Sequence, residues 1–449
     1  MFSHRLKTGY FALEGLNSFA TVYYFYYLYF YMHQVHGFGN QANLVLAALN
    51  GGTYAVVAWF GGRFAQRQGY FTALKLGYVI MILALSLGVV IDSAMGHVGV
   101  MVLTVVGMSF TWPTLEALVS EGESRAGLPH MVGIYNVVWA GTAALANFSG
   151  GAMLQKLGMS SLFCVPIGVH VTQLALTIWL ERKATSAAHK PGRESADRNE
   201  TGNAATAAPR NDGASSNSPS RNGDERIFAG APSAQLAAPV AMSVSPVVLA
   251  GAVSDTRETG WPVHHSKKFL RMAWLANPFA YIAINTLIAV VPSVALNLKL
   301  TTMAAGFCCS VWCFARLGAF ALLWQWGGWH YRFRWLLLAY IGLLVSFGGV
   351  VLAPNVSTLV LAQLVFGGSV GLVYYSSLFY SMDRNDTKGE HGGIHEAVIG
   401  LGNCAGPAVG ALALQVFPGN SQNAALAVIA LLLCGLGGLI HIWKRERPS

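Results

Sequence analysis

The residues able to do more than pack are few: Glu14, Glu116, Arg316, His395 and Glu396, each within or at the edge of a long apolar stretch. An ionisable group held inside a bilayer is costly and is a functional candidate by default. A carboxylate can take up and release a proton, and an arginine can hold an anion or a carboxylate of its own chain. Glu14 fits a proton carrier and a fixed structural partner equally well. His395 and Glu396 fit a proton-sensing pair, since histidine titrates near neutrality, or a gate beside Arg384 or Lys388. Arg316 has three readings: a fixed ion pair with Glu14, Glu116 or Glu396, recognition of a substrate anion, and snorkelling toward the cytoplasm.

Uncharged polar residues fall at helical spacing around these groups. Glu14, Asn17, Ser18, Thr21 and Tyr24 or Phe25 form one stripe of a helix, and a polar stripe on a membrane helix points away from lipid. Asn136, Trp139, Ala143 and Asn147 repeat the device, as do Asn277, Tyr281 and Asn285, and then Glu396, Gly400, Asn403 and Pro407. Asn50, Trp112 and Tyr375 complete the candidate cavity residues. Aromatic faces flanked by amides and hydroxyls suit a neutral polar solute such as a sugar, or an aromatic or amphipathic drug. The competing reading is hydrogen-bonded glue between helices, and for the run from Tyr23 to Tyr31 an interfacial aromatic belt.

These stripes need helices that cross a membrane. Of 449 residues, 54% are hydrophobic and 10% charged, against roughly 25% charged in soluble domains. Apolar runs of about 20 residues, the length that spans a bilayer, occur at 10–32, 42–62, 71–91, 98–118, 131–154 and 161–180. Six more follow at 269–298, 303–326, 335–352, 357–380, 394–417 and 424–443. The expected fold is an all-α membrane protein of twelve transmembrane helices in two six-helix bundles, residues 1–181 and 268–449. Between them, 182–267 is rich in Ala, Ser, Asn, Pro, Arg and Gly, a composition that predicts a disordered linker. The segment 235–253 is apolar enough to suggest a thirteenth span, but Pro239 and Pro246 interrupt it. Spans three, six, nine and twelve are the most uniformly apolar and fit outer, lipid-facing positions.

The formal net charge of +9 comes from 28 Lys+Arg against 19 Asp+Glu. Arg5, Lys7, Arg63, Arg67, Arg125, Arg332, Arg334, Arg384, Lys388 and the C-terminal Lys444 to Arg447 all fall on one side of the span alternation. Basic loops mark the cytoplasmic side, so both termini and the linker are expected there, in a multi-pass inner or plasma membrane protein. The charge then reports topology and gives no reason to expect nucleic acid as a partner. The six cysteines lie in apolar runs without metal-ligand spacing and read as buried small hydrophobes.

The halves repeat weakly, with glycine-flanked stretches at 107–133 and 367–393, and a six-plus-six layout around a central loop is that of many secondary transporters. The segment Gly62-Arg63-Phe64-Ala65-Gln66-Arg67-Gln68-Gly69-Tyr70, expected as the loop after the second span, resembles the Gly-x-x-x-Asp-Arg-x-Gly-Arg signature of the major facilitator superfamily. Gln66 stands where that family has aspartate and Tyr70 where it has its second arginine. The resemblance implies alternating access around a central cavity lined by the polar-bearing spans, a small-molecule substrate, and a monomer with no cofactor. Proton coupling is the expectation attached to the buried carboxylates. Two alternatives stay open: a proton-driven exporter of amphipathic compounds, and a non-transporting sensor or scaffold acting through the linker. No nucleotide-binding, hydrolase or metal-site signature is present, so neither an enzyme nor a metal site is expected.

Overall fold

Long apolar runs punctuated by single glycines or short polar turns fold here as hairpins of membrane-length helices. The structure is a computed structural model and describes residues 4–120, 128–203, 263–383, 388–420 and 422–445. The first half contains α1 (His4–His36), α2 (Asn40–Gln68), α3 (Tyr70–Val90), α4 (Ala94–Ser120), α5 (Leu128–Leu157) and α6 (Ser161–Asn203). The second contains α7 (Val263–Asn297), α8 (Thr302–Cys309), α9 (Val311–Gln325), a 3-10 turn at Gly327–Trp329, α10 (Phe333–Val351), α11 (Val356–Asp383), α12 (Lys388–Val416) and α13 (Gln422–Arg445). Helices α8 and α9 make one rod interrupted at Ser310, so the described helices form twelve spans. Eleven are long and apolar enough to cross a membrane. The exception is α1, whose seven tyrosines lower its mean hydropathy without making it a surface helix.

Helix pairing in the first half recurs in the second. Helix α1 packs on α5, and α2 and α3 pack on α4; correspondingly α7 packs on α12, and α9 and α10 pack on α11. The halves meet along two seams, α2 against α12 and α5 against α8 and α9. The first seam is close because of its glycines: a Cβ on Gly51 would overlap the Asn403 backbone, and one on Gly400 would overlap the backbone of Ala55.

Three sequence expectations change. The signature segment is not a loop, since α2 continues through Gln68 and only Gly69 separates it from α3. Gly69 has φ +92° and ψ 146°, a conformation open essentially to glycine alone. Likewise α6 runs past residue 181 to Asn203, its continuation favoured by Glu181, Arg182, Lys183 and Ala184, all good helix formers. Residues 187–261 form a separate unit, and the apolar stretch 235–253 lies outside the described residues. Finally, only Cys309 and Cys313 are buried; Cys164 and Cys434 are exposed on α6 and α13, where an apolar helix face meets lipid rather than protein.

Candidate functional site

Eight helices of the two halves converge on a cavity of about 210 Å³. The contributing helices are α1, α2, α4, α5, α7, α9, α11 and α12; none of its lining comes from α3, α6, α10 or α13. Each helix presents a face at its own period: Val22, Phe25, Tyr26 and Tyr29 from α1, Asn50 and Tyr54 from α2, Tyr281, Ile284, Asn285 and Ile288 from α7, and Glu396, Ile399 and Asn403 from α12. Met108 and Trp112 come from α4, Trp139 and Asn147 from α5, Trp312 and Arg316 from α9, and Tyr374 from α11.

Trp139 is the centre of this wall. Its ring meets Trp112, Tyr374 and Phe320 at centroid separations of 6.2, 5.5 and 5.7 Å, and its indole N–H donates to Asn136 Oδ1 at 2.9 Å. Arg316 lies against it. The guanidinium carbon is 4.5 Å from the Trp139 ring centroid and 4.8 Å from that of Trp312. Arg316 is only 6% exposed and its Nε has no hydrogen-bond partner. Among the described residues it forms no ion pair, in contrast to Lys75 and Glu181, which meet at 2.8 Å between α3 and α6. Each cation–π contact contributes about 0.5–2 kcal/mol, while removing an ion from water costs several kcal/mol even after relaxation. The two rings therefore offset only part of the burial cost. In this structure the Arg316 side chain stays inside the bundle and lies against two indole rings.

The carboxylates lie toward the end at which α1 and α12 begin and α4 finishes. Glu396 reaches the cavity and accepts a 2.6 Å hydrogen bond from Tyr54 across the α2–α12 seam. Glu14 is fully buried and outside the cavity, beside Tyr135 and within electrostatic reach of Glu116 and Glu396. Glu116 is half-buried on α4. His395 lies outside the residues whose side chains are described.

Of the sequence-derived cavity residues, Asn50, Trp112, Trp139, Asn285 and Asn403 line the cavity, and Asn285 donates to Asn403 across α7 and α12. Asn17, Thr21, Tyr24, Asn136 and Tyr375 are buried elsewhere. On α1 the polar stripe faces protein: Ser18 donates to the Trp139 carbonyl oxygen at 2.8 Å, and the Thr21 hydroxyl returns to the Asn17 carbonyl at 2.7 Å. The neighbouring aromatic stripe takes the cavity instead. The tyrosine run is not an interfacial belt, for it is buried, with Tyr23 bonded to Ser161 at 3.0 Å, Tyr26 to the Cys309 carbonyl at 3.2 Å, and Tyr31 to His97 at 3.2 Å. On α11 a similar one-residue rotation puts Tyr374 at the cavity and Tyr375 against Phe320 and Trp329. Asn147 and Tyr281, members of the polar stripes on α5 and α7, reach the cavity, and Tyr54, Met108 and Trp312 line it without standing in any of those stripes. The i, i+4 steps Asn50–Tyr54 and Trp312–Arg316 were the available signal.

The signature residues sit away from the cavity at the α2–α3 turn. Gly62 is buried, Gln66, Arg67 and Gly69 are exposed, and the Arg63 guanidinium covers the Trp59 ring at 4.2 Å.

Hydrogen bonds between the halves gather at the opposite end, where α1 finishes and α2 begins. Gln34 donates to Thr302 at 2.9 Å, the Met303 N–H donates to Gln155 at 3.0 Å, and Asn40 pairs with Ser293 and Gln41 with Gln415.

No sequence-family profile matches the chain, and no curated protein matches it. Solved structures do. The chain superposes on the human organic anion transporter MFSD10 (TETRAN) with a TM-score of 0.60 at 12% identity, covering 98% of this chain and 100% of that one. It superposes on a point mutant of the nucleoside transporter NupG with a TM-score of 0.63 at 10% identity, covering 97% and 99%. Identities this low establish a shared fold.

Proposed function

From the fold that the chain shares with major facilitator transporters, we propose that this protein is a secondary transporter which carries a small organic solute across a membrane by alternating access. The observation that supports this best is the cavity itself. Both halves contribute to it, its walls are aromatic rings with four asparagines, and helix seams that could separate by rocking flank it. Its volume of about 210 Å³ falls below the roughly 300–1,000 Å³ of drug-sized sites, which favours a solute of one or two rings over a bulky amphipathic drug. The two neighbours' names, organic anion and nucleoside, include both charged and neutral cargo.

In this reading both termini face the cytoplasm, as the loop charges require, and the membrane is the inner or plasma membrane. The hydrogen bonds around Gln34, Asn40, Gln41 and Gln155 close the external end. Protons are the coupling ion, carried among Glu14, Glu116 and Glu396. The test is counterflow and pH-jump uptake in proteoliposomes, using a solute first found by thermal-shift screening. The expected result is uptake that follows an imposed proton gradient and loses that dependence in Glu14→Gln, Glu116→Gln or Glu396→Gln. Unchanged pH dependence in all three removes proton coupling. Absence of counterflow for every stabilising solute removes the transport reading.

A further inference from the structure

We infer that the solute carries a negatively charged group, a carboxylate or one of similar size, on an aromatic body, and that Arg316 is the residue that binds it. This deepens the reading of the cavity as the transport site and rests on it. The argument begins with an incomplete set of partners. Arg316 lines the cavity, is 6% exposed, leaves its Nε without an acceptor and has no carboxylate in ion-pairing distance among the described residues. What surrounds it is the faces of Trp139 and Trp312, the Cys313 thiol, and the hydroxyls of Tyr281 and Tyr374 within electrostatic reach.

Contact of the guanidinium carbon with two indole rings still leaves N–H donors for another partner, since ring contact and in-plane donation use different parts of the group. A planar oxyanion accepts two such N–H bonds in a fixed geometry. An uncharged solute would leave the buried cation as poorly compensated as before. The rest of the wall is predominantly aromatic, with Phe25, Tyr29, Trp112 and Tyr374 able to contact a ring by offset or edge-on packing. Glu396 lies on the α12 wall and is held by Tyr54. It supplies the opposite sign, which orients the anionic group toward α9.

The test needs no variant to begin. Purified wild-type protein in detergent is titrated with 3-phenylpropionate and indole-3-acetate and with their primary amides, reading thermal shift and quenching of tryptophan fluorescence. At least one acid is expected to bind about tenfold or more tighter than its amide, a difference of about 1.4 kcal/mol. Arg316→Gln abolishes that preference, and Arg316→Lys, which keeps the charge and loses the flat fork, restores part of it. An acid that binds no better than its amide for both pairs overturns the inference, as does a preference that survives in folded, monodisperse Arg316→Gln. If uridine or glucose instead bind and lose that binding in Trp139→Ala, the cavity reading stands and the anion inference falls. If no probe of either kind responds to Trp139→Ala, both fall.

Discussion

Glu14 and Arg316 are both charges buried in a membrane bundle, and they are buried differently. Glu14 is sealed: it is fully buried, outside the cavity, beside Tyr135 and near two other carboxylates. Arg316 opens onto the cavity and rests on two aromatic faces. The cost of desolvation is of the same kind in both places, but only at Arg316 can something from outside offset it. A sealed acid can exchange nothing larger than a proton, whereas a cation at a cavity wall can take a ligand. Burial alone therefore marks both as functional candidates, and access to the cavity separates their roles.

The strongest way to break this contrast is to remove the ring beside Arg316. Trp139→Ala deletes three aromatic contacts, the cation–π face and the hydrogen bond to Asn136. It is expected to lower stability by about 3–5 kcal/mol and to abolish solute binding, both read on the detergent-solubilised protein by thermal melt and titration. Next is Arg316→Met, which replaces a lone buried ion by an apolar chain of similar length. Stability should rise by about 1–4 kcal/mol while counterflow of an anionic solute disappears. A fall in melting temperature would mean that the cation is compensated within the protein.

Glu14→Gln should behave otherwise. Keeping the shape and removing the charge, it is expected to change stability by less than about 2 kcal/mol and to leave solute affinity at a fixed pH within about threefold, about 0.7 kcal/mol. Calorimetry with a solute that binds the wild type checks this, and a loss of affinity as large as that of Arg316→Met would erase the distinction. The smallest effect belongs to the closed rim. Gln34→Ala removes one exposed hydrogen bond to Thr302 and should cost about 0.5–1.5 kcal/mol at most, visible as a faster exchange of external solute and hardly as a change in melting.

Much of this molecule was legible from hydropathy, because a bilayer forces every spanning segment to satisfy its own backbone and to show apolar side chains outward. Twelve spans, the outer placement of spans three, six, nine and twelve, and the singling out of Trp139, Arg316 and Asn403 follow from that constraint. The facing of α1 did not. Its polar stripe through Asn17, Ser18 and Thr21 and its aromatic stripe through Val22, Phe25, Tyr26 and Tyr29 both face into the protein, so the rule that polar faces avoid lipid could not say which faced the cavity. Tyr374 and Tyr375 pose the same problem on α11, where one residue is a turn of about 100°. The signature segment was readable as a motif but not as the helix it forms, since its polar composition suits a loop and an exposed helix end equally.

Alone, then, the sequence determined that the chain crosses a membrane, how often, and which few charges remain inside, because each of these is decided residue by residue against the cost of leaving water. Tertiary structure decided what each buried charge meets. That Glu14 is closed in by neighbouring helices, that Glu396 is held by Tyr54 from the other half, and that Arg316 lies between Trp139 and Trp312 at the cavity wall depend on helix rotation and on approach across the seams. Those are set by packing among residues hundreds of positions apart, which no local pattern encodes.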